Sequence, residues 1–135
     1  MDVSVIIVNH NGMVFVDTCL KSILNSVYPD FEVIFVDNGS TDVSLEYVKN
    51  IFGTDPRLKL LENKFSVGPA VGRNRGVAAS SGKYIVFLHN DTVVDKNCLS
   101  EIVKVFEGDS SIGAVQAKLL RIDSHKRYDL SLIHI

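Results

Sequence analysis

Apolar positions along the chain follow two alternating rhythms. Residues 3–8 (VSVIIV) form a short, mostly β-branched run, which suits a strand buried on both faces of a parallel sheet. The run stops at Asn9-His10-Asn11-Gly12. Over residues 13–27, Val16, Leu20, Ile23, Leu24 and Val27 recur at helical spacing, with Asp17 and Lys21 four apart on another face. This pattern predicts an amphipathic helix lying on the sheet, broken by Tyr28-Pro29-Asp30. Residues 31–36 (FEVIFV) read as a second strand that ends at Asp37. Turn formers and helix-capping residues fill 37–42, and Leu45, Val48, Ile51 and Phe52 then mark a second helical face. A short third strand is expected at 58–61 and a third helix within 68–79, entered through the Gly68-Pro69 turn. Residues 83–88 (KYIVFL) give a fourth strand, and Asp95 caps a helix carrying Leu99, Ile102, Val103 and Phe106. A fifth strand is expected at 112–117.

Strands alternating with helices imply βαβ units, whose crossovers are right-handed. The expected fold is therefore α/β, a mostly parallel sheet with helices on both faces, in one domain over residues 1–120. Ligands of such sheets bind beyond the carboxyl ends of the strands. Three of those ends carry unusual chemistry: Asn9-His10-Asn11-Gly12, Asp37-Asn38-Gly39-Ser40 and His89-Asn90-Asp91-Thr92.

Composition narrows the partners. Fourteen Lys and Arg against sixteen Asp and Glu leave a net charge of −2, and the longest basic run is His125-Lys126-Arg127. A nucleic-acid partner is not expected, because a phosphate backbone calls for a positive field. Cys19 and Cys98 each fall in a helical pattern and read as reduced thiols, which favours the cytoplasm. The apolar run that follows Met1-Asp2 lacks a basic flank and a cleavage site, and no stretch reaches membrane-spanning length. Peripheral association with the inner face of a membrane stays open.

Asp37 and Asp91 follow strongly apolar strands, so both are expected at one crevice, where carboxylates can hold a hard cation or a hydrogen-bonding ligand. Each can equally serve as a turn or helix cap. Gly68, Gly72 and Gly76 recur every four residues. For Gly72 and Gly76 the expectation is a helix face stripped for close packing, despite roughly 1 kcal/mol per glycine relative to alanine. Arg73 or Arg75 could reach a nucleotide's phosphates from the start of that helix. His89, two residues before Asp91, suits a metal or phosphate contact as well as a solvated strand end. The chain lacks G-x-G-x-x-G at its first turn, has no G-x-x-x-x-G-K-[ST], and offers no zinc-type spacing of Cys and His, which removes the main support for dinucleotide, P-loop and zinc readings.

In collinear order, VSVIIVNHNG, FEVIFVDNGSTD, GPAVGRNRGVAASSG and YIVFLHNDT resemble the motifs of glycosyltransferase family 2. The likeness covers residues 3–120. It implies a GT-A fold, of which this would be the Rossmann-like nucleotide-binding half. It further implies an inverting transfer from a nucleotide diphosphate sugar to a saccharide, lipid-linked or protein acceptor. On that resemblance Asn9 and Asn11 line the nucleoside pocket, Asp37 accepts a hydrogen bond from the base, and Arg73 approaches the base or diphosphate. Asn38, His89 and Asn90 join the nucleotide-sugar-binding set. Asp91 takes the last position of the D-x-D motif and would hold Mn²⁺ or Mg²⁺ across the phosphates.

Two departures accompany the likeness. His89 stands where the motif has its first Asp, and residues 121–135 do not follow the family pattern. The family's acceptor half and general base lie further downstream, so no catalytic base is assigned and a truncated, donor-binding portion is expected. A non-catalytic nucleotide-binding or regulatory module on the same sheet is the competing reading. A flavodoxin-like or receiver-type domain is disfavoured, since it leaves Arg73-Asn74 and the Asn9-to-Gly12 turn without a role.

Overall fold

The structure, a computed structural model, describes residues 1–120. The elements run β1 (Val3–Asn9), α1 (Met13–Leu24), β2 (Phe31–Asn38), α2 (Ser44–Phe52), β3 (Leu58–Asn63), α3 (Pro69–Ala79), β4 (Tyr84–His89) and α4 (Cys98–Gly108). The four strands pair in parallel in the order β3-β2-β1-β4. The chain thus steps outward from β1 to β3 and then returns across the sheet to β4. Right-handed crossovers in opposite directions must place their helices on opposite faces.

The packing follows that rule. Val3, Val5 and Ile7 of β1 and Phe31, Val33 and Phe35 of β2 face one layer, built from Val16, Leu20 and Ile23 of α1, Val48 and Phe52 of α2, and Leu99 and Val103 of α4. The alternate residues Ile6, Ile34 and Val36 form a smaller core on the other side, with Val8, Leu61, Ala79 and Ile85. Helix α3 lies there. A Cβ on Gly76 would stand 2.5 Å from Ile6 Cγ2, and one on Gly72 would stand 2.9 Å from Val8 Cγ1. The expected close packing of these glycines is what the helix shows, and it brings α3 down onto β1 and β2.

Two sequence expectations need correction. Helix α1 ends at Leu24 and not near 27, because the Val27 amide leaves the helix to bond the Lys96 carbonyl at 2.9 Å. Residues 112–117 form no strand. Gly113, Ala114 and Ala117 give that segment little apolar surface to bury, and the α3-side layer reaches Ile85 but leaves Phe87 of β4 53% exposed. The Ile112 amide turns back to the Asp109 carbonyl instead. The tail expected to depart from the pattern, residues 121–135, lies outside the described residues.

At the amino ends of the strands a carboxylate is buried. Glu32 Oε1 accepts from Ser4 Oγ (2.6 Å), the Ser81 amide (2.7 Å) and Ser81 Oγ (2.8 Å), and Lys59 Nζ lies 2.6 Å from Oε2. Ser4 Oγ in turn accepts from the Gly82 amide. Burial pushes the Glu32 carboxyl upward, but the Lys59 ammonium and the Ser4 and Ser81 hydrogen bonds outweigh it and hold the group at about 2. The network clamps the α3-to-β4 turn to β1 and β2.

Candidate functional site

Reversal of strand order between β1 and β4 opens a crevice at their carboxyl ends, the place where open α/β sheets bind ligands. One hydrogen bond spans it: Asn90 Nδ2 donates to Asn9 Oδ1 at 2.9 Å. The bond explains Gly12, since a Cβ there would lie 2.3 Å from Asn90 Nδ2 and 2.4 Å from Asn9 Oδ1. On its other side Asn9 Nδ2 lies 3.1 Å from Asp37 Oδ1, 3.1 Å from Ser40 Oγ and 2.9 Å from Ser44 Oγ. Asp37 also accepts from the Ser40 hydroxyl (2.6 Å) and amide (3.0 Å). Asn9 and Asp37, partners in the β1–β2 register, are both buried. They form a polar floor beneath the crevice.

Asn38 is buried as well and ties the β3-to-α3 loop to the floor. Its Oδ1 accepts from Asn63 Nδ2 and the Val67 amide, and its Nδ2 donates to the Gly68 carbonyl, each at 3.1 Å. The rim is set by Asn11, a non-glycine residue at φ 52°. Asn is one of the few side chains that tolerates this region, because it bonds the local backbone. Asn11 Oδ1 accepts from the amides of Thr41 (2.7 Å) and Asp42 (3.1 Å). Asp42 then caps two helices at once, accepting the Met13 amide of α1 at 3.1 Å and the Ser44 amide of α2 at 3.0 Å. Burial raises its carboxyl, yet the Ser44 and Met13 hydrogen bonds prevail and keep it below the usual range.

Further charged and titratable groups lie at the same strand ends, some of them without a partner among the described residues. Arg73 is half-buried on the first turns of α3 and makes no hydrogen bond among the described residues. Arg75 differs: its Nη1 donates to the Glu62 carbonyl at 2.7 Å and bonds the Asn63 side chain. His89 and Asp91 are exposed at the end of β4, and Asp91 accepts no hydrogen bond among the described residues. His10 is exposed just past the end of β1, with Nδ1 3.0 Å from the Asn38 carbonyl. Beneath this end burial pushes the Cys19 thiol up to about 12, which leaves it a core residue bonded to the His89 carbonyl and no nucleophile.

The structure therefore unites Asn9, Asp37 and Asn90 in one network, sets the buried Asn38 beside it in a second one that holds the β3-to-α3 loop, puts Asn11 at the edge, and leaves the side chains of Arg73, His89 and Asp91 without a hydrogen bond among the described residues. Sequence reasoning missed Ser40, Asp42, Ser44 and Asn63. Asp42 had a signal, a carboxylate between two helix starts, whereas Ser44 and Asn63 gave none. Among the described residues no three His, Cys, Asp or Glu side chains gather around one point. A cation held by protein alone does not fit here. A cation shared with a diphosphate does, because such ions take one or two carboxylates and fill the remaining positions with phosphate oxygens and water.

A sequence model described as Glycosyl transferase family 2 matches residues 4–133. The chain belongs to glycosyl transferase family 2. Among relatives of this family-2 chain, an uncharacterised glycosyltransferase of Haemophilus influenzae is 32% identical over 117 residues, 87% of this chain and 36% of that protein. The chondroitin synthase of Pasteurella multocida is 30% identical over 84% of this chain and 12% of its own length. In three dimensions the mannosyltransferase PcManGT of Pyrobaculum calidifontis, in complex with GDP-Man and Mn²⁺, superposes with a TM-score of 0.80 and 28% identity, over 88% of this chain and 35% of that one. TarS 1-349 of S. aureus, in complex with UDP-GlcNAc, gives 0.74 and 26% over 80% of this chain and 32% of that one. The chain spans about a third of the length of the first of these relatives. The α/β architecture, with its all-parallel sheet between helix layers, is that of its GT-A neighbours. No helix among the described residues is long and apolar enough to cross a membrane.

Proposed function

We propose that this chain is the donor-binding part of an inverting glycosyltransferase that transfers a sugar from a nucleotide diphosphate to an acceptor hydroxyl. The observation that carries the reading is the division at the strand ends: a buried, hydrogen-bonded floor, and near it the Arg73 guanidinium and the Asp91 carboxylate, neither of which has a side-chain partner among the described residues. Charged side chains left unpaired next to a satisfied network suit a ligand with charges of both signs around it. The complexes of two structural neighbours with GDP-Man and Mn²⁺ and with UDP-GlcNAc support that ligand class.

In this reading Asn9, Asp37 and Asn38 shape the nucleoside pocket from below and Asn11 borders it. Among the described residues Asp37 Oδ2 accepts only the Ser40 amide, which leaves it capacity for a base N–H. Arg73 contacts the base or the diphosphate, as a guanidinium fork matches phosphate oxygens. His89 and Asn90 flank the phosphates. Asp91 would hold Mn²⁺ or Mg²⁺, and such an ion, when bound, stabilises negative charge on the departing diphosphate. The acceptor is a saccharide, lipid-linked or protein hydroxyl. The free thiols Cys19 and Cys98 suit the cytoplasm, at the inner face of a membrane where the acceptor is lipid-linked.

Calorimetric titration with UDP, dTDP and GDP, each with and without Mn²⁺, tests the reading. At least one of the three is expected to bind, and only with the metal. Absence of binding by all three would overturn it.

A further inference from the structure

A polar floor with charged groups above it can hold the edges of a base and its phosphates, but it offers nothing to the flat apolar face of the base. Phe65 does. It is the most exposed phenylalanine among the described residues, at 70%, and it lies in the loop between β3 and α3 at the same strand ends as Asp37 and Asn38. Three observations fix it there. A Cβ built on Gly39, whose φ is 70°, would meet the Phe65 carbonyl carbon at 2.5 Å and its Cα at 2.6 Å, so the backbone of Phe65 lies directly against the end of β2. Asn38 grips the following residues through the Val67 amide and the Gly68 carbonyl. Asn63, just before the loop, bonds Asn38 Oδ1 from the other side. The ring is thus presented to solvent from a backbone pinned at both ends. Phe87, also half-exposed, lies on β4, at the opposite edge of the sheet from β3 and this loop.

We propose that Phe65 is the stacking platform for the nucleobase of the donor, an inference that rests on the donor-binding reading above. Stacking uses the π-face that every base possesses, so the contact supplies affinity for uracil, thymine and guanine alike and leaves discrimination to the polar groups. It makes no contribution to the diphosphate.

The test compares the 135-residue chain with Phe65→Ala and Phe65→Tyr by calorimetry in the presence of Mn²⁺, using UDP, GDP and inorganic pyrophosphate. Phe65→Ala is expected to weaken UDP and GDP about tenfold, the scale of one base stacked on one ring. Pyrophosphate affinity is expected to stay unchanged, and Phe65→Tyr to restore the wild-type values. An unchanged thermal midpoint in Phe65→Ala shows that the fold is kept, as an exposed ring implies. Wild-type affinity of Phe65→Ala for both nucleotides would overturn the platform while leaving the donor reading intact. Equal loss of pyrophosphate would overturn it too, by showing a displaced loop. A wild-type chain that binds neither nucleotide would remove the donor reading and this inference together.

Discussion

The two ends of the sheet join β1 to β2 by the same device and finish it differently. At the amino end Ser4 and Glu32 meet across the strands; at the carboxyl end Asn9 and Asp37 do, each pair in register. Around Glu32 the contacts among the described residues are internal, with Ser4 and Ser81 on Oε1 and the Lys59 ammonium alone on Oε2. Around Asp37 the floor is satisfied, but the side chains of Arg73, His89 and Asp91 have no hydrogen-bond or ion-pair partner among the described residues. A buried carboxylate alone therefore does not mark a site in this fold. The mark is a satisfied network next to charges that the fold leaves unanswered, since unpaired charges near a crevice add nothing to stability and something to binding.

If that contrast is right, damage at the amino end changes stability and not binding. Glu32→Ala should destabilise the protein by about 3 kcal/mol, because Lys59 and the Ser81 amide lose their partner at a buried position. Urea denaturation measures this, and nucleotide affinity of the remaining folded protein should stay within about twofold. The same carboxylate shapes the acid response. Its folded-state value of about 2 lies below the ordinary 4.5, so it stabilises the fold fully above pH 4.5 and loses that contribution as pH falls toward 2. Acid unfolding of Glu32→Gln should lack this part of the pH dependence, while that of Asp91→Asn should retain it.

At the carboxyl end the effects reverse. Arg73→Ala should leave the thermal midpoint in place and weaken nucleoside diphosphate binding about tenfold, the value of a charge-assisted contact to phosphate. An altered midpoint with unaltered affinity would place Arg73 on the wrong side of the comparison. Asn90→Ala is the smallest change and tests the seam between the two classes. It removes the bond across the β1–β4 crevice, so stability should fall by about 1 kcal/mol and affinity should fall modestly with it.

Much of this was legible in the letters. The β-branched runs and the 3.6-residue spacing of Val16, Leu20 and Ile23 located strands and helices, because each element buries a face whose period the sequence must carry. Residues 112–117 follow β4 and α4 where another strand is due, but Gly113, Ala114 and Ala117 leave the segment little to bury, and pairing depends further on what lies beside β4. The site was legible as a set of strand ends. Which members are buried was not: Asn9, Asn38 and Asp37 look as available as Asp91 in the sequence, and only the register that sets Asn9 opposite Asp37 shows them bonded to each other. Ser44 and Asn63 entered the network from segments that carry no motif.

The central claim is that Asp91 carries the metal dependence of donor binding, and calorimetry of Asp91→Asn with the nucleotide that binds the wild type tests it most directly. An amide cannot neutralise a cation as a carboxylate does. The account predicts that Mn²⁺ ceases to strengthen nucleotide binding in the variant, that affinity falls by roughly a hundredfold, and that the thermal midpoint without ligand stays where it was. Retention of wild-type, Mn²⁺-dependent affinity by Asp91→Asn would contradict it.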